Sequence, residues 1–104
     1  RIAAYVQWAD GHLENAIRLY REAATIHAAH GNVAGQATAL LRIGRIHHYS
    51  GELAASDAVH REAIALYTAI GDTYLAYTTL AELAAIHQLL GDTDGAAQIL
   101  NDCW

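Results

Sequence analysis

The sequence holds no lysine, no proline, no phenylalanine and no methionine, and it has a single cysteine. Without lysine there is no P-loop, whose lysine grips phosphates, and no amine nucleophile for Schiff-base chemistry. The six basic residues are all arginine and stand against eleven acidic ones, for a formal charge of −5. Arg18, Arg21, Arg42, Arg45 and Arg61 are interspersed with acids and alanines. They form no basic stripe to neutralise phosphates, so direct nucleic-acid binding is not expected. Cys103 has no second cysteine to pair with, which fits a reducing, cytoplasmic setting with a small buried thiol. No apolar run reaches the ~20 residues of a membrane span, and no basic-then-apolar signal segment opens the chain. No membrane partner is expected.

Hydrophobic residues make up 54% of the 104, swollen by alanine. Small apolar side chains suit helices packed closely together. The length serves one compact domain, or part of an elongated array whose core is shared between neighbouring units. The start at Arg1 rather than methionine is expected of a piece excised from a longer protein.

The glycines expose a period: Gly11, Gly51 and Gly91 are spaced by forty, and so are Gly31 and Gly71. Around them His47-His48-Tyr49-Ser50-Gly51-Glu52 aligns with His87-Gln88-Leu89-Leu90-Gly91-Asp92, and Arg21-Glu22-Ala23 with Arg61-Glu62-Ala63. Between glycines the apolar residues recur at three and four, as in Leu40, Ile43, Ile46 and Tyr49. That is the period of an amphipathic helix, and no segment alternates with period two. Gly31-Asn32, Gly71-Asp72-Thr73 and Gly91-Asp92-Thr93 each place a glycine where a helix can end in a left-handed turn, then a side chain that can cap the next. The expected helices are 1–9, 12–30, 33–49, 52–70, 73–90 and 94–103. Each forty-residue unit is then an antiparallel helix pair, completed by stacking on its neighbours. Gly44 and Ala84, Ala16 and Ala96, and Ala23 and Ala63 fall where helices approach closely. A bulky side chain there would cost about 1–3 kcal/mol by overpacking.

These residues resemble tetratricopeptide repeats (TPR). Gly11, Ala16, Tyr20 and Ala23 carry that family's glycine, alanine, aromatic and alanine along a second helix; Leu40, Ile43, Gly44, Gly51 and Ala63 match in the next unit, with Ser56 and His60 as substitutes. Leu80, Leu83, Ala84, Gly91 and Ala96 match in the third, with Leu100 and Cys103 substituting. The forty-residue period is similar to the variety in kinesin light chains, G-protein-regulating scaffold proteins and the sensor arms of bacterial signalling ATPases and regulators. The lysine-free, alanine- and arginine-rich composition looks bacterial. The resemblance implies an all-α, right-handed α-α superhelix over 1–104, about two and a half repeats: 1–31 partial, 32–71 whole and 72–104 truncated.

The resemblance also implies a concave groove lined by the first helix of each pair. By position its floor holds Tyr5 and Trp8, then Thr38, Arg42, Arg45, His48 and Tyr49, then Thr78, Glu82, Ala85 and Gln88. Such a groove can anchor a peptide or helical segment, with arginine gripping a carboxylate bidentately. The arginines can equally form a solvated face and Trp8 an apolar end, and both readings stay open. Some family members clamp a chaperone's C-terminal carboxylate with lysines and asparagines. Here Arg45 and Ala85 take the asparagine positions, so that ligand is not expected.

Among the seven histidines, the adjacent His47 and His48 point about 100° apart on a helix and do not converge on one metal. His47 and His87 hold the same position in successive units and are expected to pack. Ser56 and His60 share a helix face, but Asp57 beside them cannot orient the imidazole, and Ser56 sits where a tight helix contact needs a small residue. The expected protein is therefore not an enzyme and needs no cofactor or metal. It is a partner-binding scaffold, or alternatively the sensory or oligomerising arm of a signalling ATPase or transcriptional regulator. Unpaired apolar faces around Ile2 and Val6, and around Ile99 and Leu100, lead us to expect self-association through the end repeats.

Overall fold

The computed structural model describes residues 13–89, 91 and 93–101. They form five helices: α1 (Leu13–Ala29), α2 (Val33–Tyr49), α3 (Leu53–Ala69), α4 (Thr73–Leu89) and α5 (Thr93–Asn101). There is no strand among the described residues. The expected helices from 12 onward are present and end within two residues of the expected bounds. The helix expected over 1–9 lies outside the described residues, as do Tyr5, Trp8 and Cys103.

The turns repeat one hydrogen-bond pattern. Gly31, Gly51, Gly71 and Gly91 all have positive φ, between 71° and 83°. At the first, Asn32 N–H donates to the His27 carbonyl and Gly31 N–H to that of Ala28. Glu52 to His47 with Gly51 to His48, and Asp72 to Tyr67 with Gly71 to Thr68, do the same. This is the six-to-one and five-to-two closure of a Schellman turn, whose left-handed residue favours glycine for want of a Cβ. Capping then starts the next helix. Asn32 Oδ1 accepts from Gly35 N–H at 3.0 Å, and Asp72 Oδ1 from Leu75 N–H at 3.1 Å. Glu52 makes no such cap, because its carboxylate instead receives His47 Nδ1 at 2.9 Å.

Each helix packs mainly on its sequence neighbours. The core between α1, α2, α3 and the start of α4 is built from Ala37, Leu40, Leu41, Ile43, Val59, Ala63 and Tyr67, all buried. A second cluster, Leu83, Ala84 and Ala96, joins α4 to α5. Two of the small residues marked out by the sequence sit at tight crossings. Ala63 is fully buried, and a Cβ added at Gly44 would lie 2.6 Å from Nδ1 of His60. That distance is below van der Waals contact, so the ring of His60 occupies the space a side chain at 44 would need. His60 is a core residue, 1% exposed.

Candidate functional site

The side chains expected in a groove fall into three groups. Arg42, Arg45 and Tyr49 come together along α2, where with Tyr20 of α1 and Ile46 they line a hollow of about 120 Å³. Arg45 and Glu82 meet across α2 and α4. Thr38, His48, Thr78 and Gln88 do not line this hollow. Thr38 Oγ1 lies 2.9 Å from the Tyr67 hydroxyl, and Thr78 Oγ1 donates to the Leu75 carbonyl at 3.0 Å. His48 and Gln88 are exposed.

Arg45 corrects one expectation, since its fork is already occupied. Its Nε donates to Glu82 Oε1 at 3.2 Å and its Nη2 to Glu82 Oε2 at 2.8 Å, a bidentate pair between residues 37 apart. The carboxylate it was expected to take from a ligand is supplied by the chain itself. Glu82 holds a second partner, His60 Nε2 at 3.2 Å. Burial pushes the Glu82 carboxyl up, but the hydrogen bonds from His60 and Arg45 and their nearby positive charge outweigh it and hold the pKa at about 2. The hydrogen bond to Glu82 in turn raises Arg45. Arg42, one helical turn before Arg45, is exposed and makes no ion pair with any described residue. The two arginines that look alike in sequence therefore differ: one closes a joint, and the other presents a guanidinium to the hollow.

Behind Glu82 the network runs inward. His60 Nδ1 donates to the Ser56 carbonyl at 2.8 Å and lies 3.3 Å from Ser56 Oγ, while Ser56 Oγ donates to the Gly44 carbonyl at 2.7 Å. Both ring nitrogens of His60 face oxygen atoms, the Ser56 carbonyl and the Glu82 carboxylate. Serine, histidine and a carboxylate thus stand in the order of a nucleophile, base and orienter, with Glu82 in the last place. Asp57, which adjoins Ser56 in sequence, does not take that place; Glu82, 22 residues from His60, does. Chemically the chain is closed, since Ser56 has no exposed surface and its hydroxyl proton is held by the Gly44 carbonyl. What the network does is tie α2, α3 and α4 together through polar groups that are otherwise costly to bury.

Asp57 has other partners. Its Oδ2 receives Arg61 Nε at 3.1 Å and its Oδ1 receives His87 Nε2 at 2.8 Å, joining α3 to α4. His47 and His87 are both mostly buried, with side chains 14% and 15% exposed, and each meets a carboxylate. No group of three or more His, Cys, Asp or Glu side chains among the described residues is placed to hold a metal ion. No helix among the described residues is long and apolar enough to cross a membrane.

Comparisons with known proteins found no matching family model, no similar curated protein and no similar solved structure.

Proposed function

We propose that this chain is a protein-interaction scaffold of tetratricopeptide type, a cytoplasmic α-α superhelix that binds a peptide or helical segment in a groove lined by α2 and α4. The observation that carries the reading is the guanidinium of Arg42, which makes no ion pair with any described residue, beside Tyr49, which is 64% exposed, at the hollow lined by α1 and α2. Exposed aromatics and arginines are the side chains that most often anchor a partner. The pairing of Arg45 with Glu82 supports the same reading, because it stiffens the surface on which Arg42 is displayed. The enclosure of Ser56 supports a binding rather than a catalytic role.

The test is capture from native lysate by the intact protein, compared with the variant carrying Arg42→Ala and Tyr49→Ala together. Loss of a captured protein at unchanged helicity is the expected outcome. Capture indifferent to the double substitution refutes the groove. Recovery of the chain alone, at a mass that grows with concentration, favours the alternative of an oligomerising or sensory arm, with self-association through its end repeats.

A further inference from the structure

We propose that Glu82 is the positioning residue of a carboxylate-binding fork on Arg45, so that the acid beside this cation prepares it for a partner's carboxylate instead of blocking it. This rests on the partner-binding reading above and names the chemistry the partner brings.

A guanidinium carries five N–H donors in one plane. Arg45 gives two of them to Glu82, from Nε at 3.2 Å and from Nη2 at 2.8 Å, along the side edge of the group. The end edge consists of Nη1 and the second hydrogen of Nη2, and no described residue accepts from Nη1. Two parallel N–H groups on such an edge match the two oxygens of a carboxylate. The Arg45 side chain is 49% exposed, so the pair with Glu82 holds the guanidinium without enclosing it.

Two bonds to one carboxylate fix the plane of the guanidinium, and that carboxylate is itself fixed. Glu82 Oε1 meets His60 Nε2 at 3.2 Å, and the buried His60 ring is held from behind by the Ser56 carbonyl at 2.8 Å from Nδ1. Ser56 Oγ in turn donates to the Gly44 carbonyl at 2.7 Å, which brings the chain of contacts back to α2 one residue before Arg45. A long side chain on a helix surface is thereby anchored at its tip as well as at its root. Ordering such a side chain in advance spares a partner a cost of about two- to tenfold in affinity.

Charge points the same way. Arg45 and Glu82 cancel, and Arg42, one turn earlier on α2, adds a guanidinium that makes no ion pair with any described residue. Two cations against one anion leave the three side chains net positive, which favours a carboxylate over a neutral amide.

The experiment uses the full chain and three short capped alanine peptides as probes. One has a central glutamate and an amidated end, one a free C-terminal carboxylate, and one a central glutamine and an amidated end. The readout is the nitrogen-15 spectrum of the arginine side chains. A carboxylate peptide should shift the Arg45 Nε and Nη signals and the glutamine peptide should not; which of the two carboxylates acts identifies its source. Glu82→Gln should weaken that binding at least threefold although it removes a like charge, because its amide nitrogen meets Nη2 donor to donor and turns the end edge away. Arg45→Lys keeps the charge without the fork and should also weaken it. In the Arg45→Lys background Glu82→Gln should weaken it no further, since only repulsion is then removed. All variants are compared at matched helicity. No Arg45 shift with either carboxylate, an equal shift with the glutamine peptide, or binding that is unchanged or tighter in Glu82→Gln alone overturns the positioning role. The scaffold reading falls separately, when lysate capture survives Arg42→Ala with Tyr49→Ala.

Discussion

Removing the charge of Glu82 without changing its size should cost stability, and the cost should disappear in acid. In Glu82→Gln the amide oxygen can take the place of Oε1 and still accept from Arg45 Nε and His60 Nε2, but the amide nitrogen then meets Arg45 Nη2 donor to donor where Oε2 accepted at 2.8 Å. The carboxyl has an ordinary value of 4.5 and is held at about 2 in the fold. At about 1.4 kcal/mol per unit the shift corresponds to about 3 kcal/mol. Glu82's side chain is 35% exposed, so water screens much of this, and about 1–2 kcal/mol is the expected loss at pH 7. The sign follows from the depressed value: the contribution is present above pH 4.5 and is lost as pH falls toward 2. Urea denaturation of wild type and variant across that interval is the assay. Their difference in unfolding free energy should shrink from about 1–2 kcal/mol to near zero as the wild-type carboxyl takes up its proton. A variant as stable as wild type at pH 7, or a gap that stays constant down to pH 2, would refute the reasoning.

Gly44→Ala should destabilise by about 1–3 kcal/mol in the same assay, because its Cβ meets the His60 ring at 2.6 Å, and much of that cost should vanish in a His60→Ala background. Gly71→Ala has open space around the new Cβ but keeps φ at +76°, so a loss of about 1 kcal/mol is expected from backbone strain alone, with D-alanine at that position restoring it. Tyr67→Phe removes the hydroxyl 2.9 Å from Thr38 Oγ1 and should cost about 0.5–1.5 kcal/mol by thermal unfolding. Arg42→Ala should leave stability within about 0.5 kcal/mol while weakening partner capture, whereas Arg45→Ala should lower the melting temperature by several degrees.

The features legible in the sequence are those fixed by a residue's own backbone or its near neighbours. A glycine with positive φ followed by Asn or Asp writes its turn into four or five consecutive residues, so Gly31-Asn32 and Gly71-Asp72 announce both the end of one helix and the cap of the next. The demand for a small residue at 44 was legible because a period of forty pointed at Gly44 and Ala84 together. The joint around Glu82 was not legible in the same way. Its bonds reach 22 residues back to His60 and 37 back to Arg45, and whether they form depends on how α2, α3 and α4 are rotated about their axes. The one available signal was that Arg45 and Glu82 lie one period less three residues apart, which places them a helical turn out of step on α2 and α4.

That offset bears on how a surface of this kind can be used. When facing helices place unlike charges one turn out of step, the pair closes within the chain, as Arg45 and Glu82 do, and the cation already holds a carboxylate. Moving the same relation back by one period puts Arg42 in the place of Glu82, so position 42 carries a cation where the closed joint carries an anion.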